Sequence, residues 1–181
     1  MTIAVKAGKE LTQEEIQTIN KWRKKSFGSS PIVLSPQDEN WAKKYFLLYD
    51  AKKLVAFGRL HDVTITFKQK TYHILGIASI VAVEKGEGYG TKLVEAITKY
   101  IKQNEKTGIG FCAREVAAFY KKCDCGILKK TDMFLYKDPS GKLVPSKYPG
   151  DNALYVEGKD KLIQAILSNP DEPILMSRPH W

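Results

Sequence analysis

The sequence has few cysteines and no apolar run long enough to cross a membrane. Its 181 residues include 3 cysteines and 3 histidines, and Cys123-Asp124-Cys125 lacks the spacing of a zinc site. So few cysteines exclude a disulfide scaffold, and we expect no metal. No stretch reaches the roughly 18 apolar residues of a membrane span, and the N-terminus lacks the apolar segment of a signal peptide. We therefore expect a cytoplasmic protein without a membrane partner.

Long basic runs are also missing, although the net charge is +9. The basic residues are mostly scattered lysines and are not interleaved with aromatic residues. Such a pattern is more typical of a solvated surface than of a nucleic-acid groove, so nucleic acid is an unfavoured partner. A nucleic-acid-binding domain remains an alternative, which predicts steeply salt-dependent binding. A basic rim around an anionic small molecule is a second explanation.

The length and composition indicate one globular domain spanning residues 1–181. Thr12 and Glu15 form a capping-box pattern, and the hydrophobic spacing predicts an α+β order. The predicted helices cover residues 13–27, 35–44, 90–104, 115–122 and 159–167. The predicted strands cover residues 45–49, 54–60, 63–67, 72–83, 109–113, 133–136 and 154–156.

The most informative segment is a glycine-rich loop between an apolar strand and an amphipathic helix. The strand ends at Ile80-Val81-Ala82-Val83, and Gly86, Gly88 and Gly90 follow. Free amides at a helix N-terminus favour an anion. The spacing fits neither G-x-x-x-x-G-K-[ST] nor G-x-G-x-x-G. A plain glycine turn before a surface helix remains the alternative.

Lys85-x-x-Gly88-x-Gly90 resembles the R/Q-x-x-G-x-G/A motif of the GCN5-related N-acetyltransferases. The predicted element order resembles that family along almost the whole chain. The resemblance implies an α/β/α acyl-CoA N-acyltransferase fold, in which helices flank a mixed, mostly antiparallel and splayed sheet. It also implies that the loop binds the pyrophosphate of acetyl-CoA. Lys85 keeps the charge of the family's usual arginine but loses its bidentate geometry.

The resemblance assigns the cofactor contacts residue by residue. Backbone groups of Val81 and Val83 would bind the pantetheine arm as an added strand would, and the loop amides would bind the pyrophosphate. The strand at 109–113 would splay from the strand at 72–83 and open a cleft for the acetyl group. The implied cofactor-binding residues are Val81, Val83, Lys85, Gly86, Glu87, Gly88, Tyr89, Gly90 and Thr91.

A second resemblance lies in the helix after the strand at 109–113. Ala117 and Phe119-Tyr120 are similar to the family's A-x-x-F/L-Y segment, whose tyrosine protonates the departing CoA thiolate in many members. Gly126 follows Tyr120 by six positions where many members have glycine at four, so we expect a remodelled helix end. The alternative is that Tyr120 fills the core.

An amine must lose a proton when it attacks a thioester, and a base or a water chain usually takes it. The candidate bases are Glu84, His73, Asp62 and His61, and Glu84 is nearest the loop in sequence. Orientation of the reactants can supply most of the rate enhancement, so a dedicated base need not exist. We expect direct transfer without a cysteine intermediate.

The C-terminal segment has a weaker resemblance to aminoglycoside 2′-N-acetyltransferases. Asp151 and the terminal Trp181 carry it, and His73 is a further candidate substrate residue. Ser79 stands where those enzymes have an acidic residue, and the net charge of +9 opposes a polycationic acceptor. A non-catalytic acyl-CoA-binding regulatory module is the alternative of another class. A homodimer is compatible with the family.

Overall fold

The structure of the protein is a computed structural model that describes residues 1–28, 33, 44–146 and 152–179. The chain forms two compact units, of which the first contains Met1–His61 and Ala78–Ile97 and the second contains Asp62–Ile77 and Thr98–Trp181. The α-helices are α1 (Gln13–Phe27), α2 (Tyr89–Gln103), α3 (Ala117–Lys122) and α4 (Leu162–Ser168). The strands are β1 (Thr2–Lys6), β2 (Lys44–Asp50), β3 (Lys53–Phe67), β4 (Lys70–Ala82), β5 (Gly108–Cys112), β6 (Gly126–Leu128), β7 (Phe134–Lys137), β8 (Leu143–Pro145), β9 (Asn152–Val156) and β10 (Ile174–Met176).

Strand pairing confirms the predicted mixed and mostly antiparallel sheet. The strand order is β6-β9-β5-β4-β3-β10-β7-β8, and β2 pairs with both β1 and β3. Parallel pairing joins β4 to β5 and β10 to β7, whereas β1–β2, β2–β3 and β5–β9 are antiparallel. Because β3 and β4 are long, each contributes residues to both units.

The first unit has a helix on each face of its strands. Thr12 caps α1, and the Glu15 side chain accepts a hydrogen bond from the Thr12 backbone amide, so the predicted capping box is confirmed. The buried face of α1 packs in one cluster with Phe57 and Val81. The side chains of α2 lie over Gly58 on the opposite face, because neighbouring strand residues point to opposite sides.

The second unit has a larger apolar core built on β3, β4, β5 and the later strands. The strand residues of this core include Phe67, Ile109 and Phe134, each at most 1% exposed. Helix α4 contributes Ile163 to this cluster. Glu157 stabilises the start of α4 by accepting hydrogen bonds from two backbone amides.

Several predicted strands have different bounds in the structure. The two strands predicted over 54–60 and 63–67 are one strand, β3, which continues through His61-Asp62. Strand β1 was not predicted, although it lies beside β2 in antiparallel register. The three-residue strands β6, β8 and β10 were also missed, since so short a segment shows no periodicity.

The helix predictions differ at their ends. Residues 114–116 form a short 3-10 helix, so α3 begins at Ala117. Helix α4 begins at Leu162 because Lys161 takes a left-handed φ of 58°. The helix predicted over 35–44 lies outside the described residues except at Lys44, which begins β2. Among the described helices, none has both the length and the apolar character needed to span a membrane.

Candidate functional site

The glycine-rich loop joins β4 to α2 in the first unit and has two left-handed glycines. Gly86 has a φ of 91° and Gly88 a φ of 74°, values that side chains with a Cβ rarely adopt. A Cβ added at either glycine would meet no atom within 4 Å. The backbone conformation, and not lack of space, therefore explains glycine here. The loop lies exposed to solvent.

The N-terminus of α2 follows this loop directly. The Lys92 amide donates to the Gly88 carbonyl at 3.1 Å, so the amides of residues 89–91 precede the first donor of the helical hydrogen-bond series. The first turn contains no acidic side chain, which would otherwise occupy the positive end of the helix dipole. Tyr89 is 8% exposed, and its hydroxyl lies 3.4 Å from Asp50 Oδ2. The geometry presents backbone donors suited to an anion.

Charged side chains of both signs flank the loop. Lys85 is exposed between Glu84 and Glu87. The Glu84 carboxylate lies 3.2 Å from Lys53 Nζ, and the two side chains are 55% and 69% exposed. An exposed pair of this kind contributes little to stability. Glu84 would have to leave Lys53, or share it, to act as a base.

The backbone hydrogen bonds at the end of β4 indicate which residues could bind the pantetheine arm, a role predicted for Val81 and Val83. The Val83 amide donates to the Val55 carbonyl on β3 at 2.8 Å. Backbone groups of alternate residues point to the same neighbouring strand, so Val81 is expected to face β3 as well. The backbone groups of Ile80 and Ala82 then point away from β3. The roles of Val81 and Val83 stay predictions, and this alternation adds Ile80 and Ala82 as candidates.

A left-handed residue of β4, Ser79, lies just before Ile80 and was not predicted from the sequence. Ser79 has a left-handed φ of 49°, and its Oγ accepts a hydrogen bond from Arg59 Nη2 at 2.8 Å. Arg59 is 4% exposed and also hydrogen-bonds Tyr45. Burial and the charge of Arg59 lower the pKa of nearby Arg23 to about 10. An arginine within an apolar strand was the available signal.

A groove with a volume of about 620 Å³ opens in the first unit beside Val83 and Glu84. Its other walls are one side of α1 and the turn between β2 and β3, including Trp22 and Lys53. The Lys25 Nζ atom lies 4.7 Å from the centroid of the Trp22 ring. The volume is in the range of small-molecule sites. The two predicted site residues at the end of β4 therefore adjoin space for a ligand.

Tyr120 belongs to the second unit, on the last turns of α3. It is 8% exposed, and its ring contacts that of Phe119 edge-on with centroids 5.1 Å apart. Its backbone carbonyl accepts hydrogen bonds from the amides of Cys123 and Cys125, and Asp124 between them has a φ of 61°. The helix therefore ends in an irregular turn before Gly126, and its difference from the family's usual helix end stays a prediction. The catalytic role of Tyr120 stays a prediction.

Comparison with known families decides the assignment. The sequence model of the acetyltransferase (GNAT) family matches residues 13–124, which is more than half of the chain. The chain belongs to the acetyltransferase (GNAT) family. The match includes the glycine-rich loop and Tyr120. No curated protein matches the chain in sequence.

Solved structures show the same fold at low sequence identity. An acyl-CoA N-acyltransferase from Pseudomonas aeruginosa is 14% identical with a TM-score of 0.55, covering 86% of this chain and 97% of that one. The GNAT family N-acetyltransferase YhbS from Escherichia coli, solved in complex with CoA, is 11% identical with a TM-score of 0.61, covering 97% and 87%. ElaA from Escherichia coli is 15% identical with a TM-score of 0.55, covering 86% and 99%. These likenesses concern the GNAT fold.

The cysteines of this GNAT chain are buried thiols in the second unit. Burial raises the pKa of Cys112 to about 11. Burial, with a smaller contribution from the neighbouring Cys123, raises the pKa of Cys125 to about 12. A thiol must ionise to act as a nucleophile or metal ligand, so these groups suit neither role. Within the described residues, no cluster of three His, Cys, Asp or Glu side chains could hold a metal ion.

Of the three candidate substrate residues, the structure describes only His73. His73 is exposed on β4 in the second unit, with Nδ1 3.4 Å from Thr64 Oγ1. Asp151 and Trp181 lie outside the described residues. The resemblance to aminoglycoside 2′-N-acetyltransferases therefore stays a prediction.

Proposed function

We propose that this GNAT protein transfers an acetyl group directly from acetyl-CoA to an amine. The amine nitrogen bonds to the thioester carbonyl carbon, and the carbon–sulfur bond breaks. The amine loses one proton and the departing thiolate gains one, so the products are an N-acetyl amide and CoA. The two substrates meet without a covalent enzyme intermediate, in agreement with the buried cysteines of high pKa.

The observation that supports this proposal is the loop before α2. Gly86 and Gly88 both have positive φ, and the first turn of α2 has donors without a carboxylate. Such an arrangement favours a pyrophosphate, and the family match covers these residues. The amides of residues 86–91 would bind the pyrophosphate, while Lys85 would add a positive charge. Backbone groups at the end of β4 would bind the pantetheine arm.

The two proton transfers are assigned to different residues. We assign protonation of the thiolate to Tyr120, on the basis of its resemblance to the family's tyrosine and its position within the matched region. The amine proton passes to Glu84 or directly to water. The pair that Glu84 forms with Lys53 is exposed, so an acceptor with a positive charge could replace Lys53 as its partner.

Isothermal titration with acetyl-CoA tests the cofactor site. Wild type should bind with a micromolar Kd, and Gly88→Glu should weaken binding at least 100-fold because it adds a negative charge and distorts a left-handed position. Gly141→Glu is the matched control. Gly141 has a φ of 83° with open space around it and lies in the turn between β7 and β8. The Gly141→Glu variant should therefore bind acetyl-CoA as wild type does.

The titration also separates the alternatives. A folded wild type that fails to bind acetyl-CoA would reduce the acetyltransferase proposal to a likeness of fold. Tight binding without CoA release, across a panel of amines that includes aminoglycosides, amino acids and peptides, would favour the regulatory module. Thiol release followed with a chromogenic disulfide reports turnover in that panel.

A further inference from the structure

Strand β4 contains one left-handed residue, and a buried arginine donates a hydrogen bond to its side chain. The parallel pairing of β4 with β5 runs from Leu75 to Ile77. Two residues later Ser79 has a φ of 49°, a conformation that costs a non-glycine residue of the order of 1 kcal/mol and persists where the surroundings enforce it. The strand then continues to Ala82.

The enforcing contact comes from β3 within the same unit. Arg59 Nη2 donates to Ser79 Oγ at 2.8 Å. Arg59 is 4% exposed and its neighbour Tyr45 is 1% exposed, and Tyr45 also forms a hydrogen bond with the guanidinium. A buried charged donor is costly to leave unsatisfied. Because the side chain is buried, Arg59 has few alternative positions, and its hydrogen bond holds the Ser79 side chain.

We propose that Arg59 is a positioning residue for the acyl-pantetheine end of the cofactor. By holding the left-handed turn at Ser79, it sets the direction of the backbone from Ile80 to Ala82. Those groups are the ones that a strand-like pantetheine arm would meet. The proposal rests on the proposed function, but it concerns a contact different from the pyrophosphate loop. Arg59 acts through Ser79 and is not itself catalytic.

The affinities of two ligands distinguish the role of Arg59 from that of the glycine-rich loop. Acetyl-CoA carries the pantetheine arm, whereas 3′-phosphoadenosine 5′-diphosphate carries only the nucleotide and its pyrophosphate. Arg59→Met and Ser79→Ala should weaken acetyl-CoA binding about 10-fold while the Kd of the nucleotide stays within two-fold. Arg59→Lys keeps the charge and should restore part of the affinity. Gly88→Glu should instead weaken both ligands.

A double variant tests whether the two residues act as one unit. Arg59→Met with Ser79→Gly should bind acetyl-CoA no more weakly than Arg59→Met alone, because the second change removes a contact that is already lost. Ser79→Gly keeps the left-handed conformation without strain, so it remains informative if Arg59→Met does not fold. Equal weakening of both ligands, or additive losses, would overturn the assignment. Failure of wild type to bind either ligand would count against the proposed function instead.

Discussion

The two units of this GNAT protein carry their candidate chemistry in different kinds of group. In the first unit the site consists of backbone amides, held by left-handed Gly86 and Gly88 and by the start of α2. In the second unit it is one side chain, Tyr120, at the irregular end of α3. A backbone site tolerates many side chains but no change of conformation, whereas a side-chain site depends on a single functional group. The two sites should therefore fail in different ways.

Removing the Tyr120 hydroxyl is expected to give the largest effect on turnover. Tyr120→Phe keeps the ring in its buried position but removes the proton donor, so kcat should fall about 100-fold. The Kd of acetyl-CoA should stay within two-fold, because the loop in the first unit is unchanged. Steady-state kinetics and isothermal titration on the same preparations measure both quantities.

Tyr155→Phe is the matched control in the second unit. Tyr155 is a half-buried residue of β9, and its ring lies over Gly126. It should retain wild-type turnover. If Tyr120→Phe kept full activity, Tyr120 would be a core aromatic, and water or another group would protonate the thiolate.

Two strand glycines extend the comparison to stability. A Cβ on Gly110, in the second unit, would lie 2.7 Å from the Ile77 carbonyl oxygen, whereas one on Gly58, in the first unit, would lie 2.6 Å from Ile80 Cδ1. A backbone oxygen cannot move alone, but the end of an isoleucine side chain can rotate. We expect Gly110→Ala to lower the free energy of unfolding by about 2 kcal/mol and Gly58→Ala by about 1 kcal/mol or less.

Urea unfolding at equal m-values measures this difference. The two substitutions are the same, so any change in the entropy of the unfolded chain is shared between them. A greater loss of unfolding free energy for Gly58→Ala than for Gly110→Ala would contradict this expectation. It would show that the side chains packed on Gly58 adapt less readily than the backbone beside Gly110.

The features that were predicted from the sequence are those determined by near neighbours in the chain. The capping box at Thr12, the bounds of α1 and the loop before α2 depend on residues within a few positions of one another. The family resemblance came from Lys85, Gly88 and Gly90, whose spacing is also local. Helix starts were less well predicted, because Lys161 takes a left-handed conformation and residues 114–116 form a 3-10 helix, neither of which a local pattern requires.

The features that were missed depend on contacts between distant segments. Arg59 and Ser79 are 20 positions apart, so their contact is not visible until the strands are aligned. Strand β10 joins β3 and β7, although three residues alone carry no strand signal. Strand β3 runs through His61-Asp62, where the sequence predicted two separate strands. Cross-strand contacts, which local periodicity does not contain, decided each of these outcomes.

A smaller effect than that of Gly110→Ala concerns Glu15 in the first unit. Burial raises the pKa of this carboxyl, but hydrogen bonds from Lys6, Tyr49 and the Thr12 amide outweigh burial, so the net pKa is below its ordinary value of 4.5. The Lys6 Nζ atom lies 2.7 Å from Glu15 Oε1, and the carboxylate side chain is 9% exposed. Glu15→Gln should lower the free energy of unfolding at pH 7 by about 1.5 kcal/mol.

The pH dependence gives the sign of this contribution. A carboxyl whose pKa is lowered on folding stabilises the protein above its unfolded pKa, and that stabilisation is lost as the pH falls through the folded pKa. The difference between wild type and Glu15→Gln should therefore be constant from pH 7 to about pH 5 and shrink below pH 4.5. Glu14→Gln, an exposed carboxylate in the same first turn, should cost only a few tenths of a kcal/mol. Equal losses for the two variants would mean that the helix dipole, and not the buried contacts with Lys6 and Tyr49, stabilises the Glu15 carboxylate.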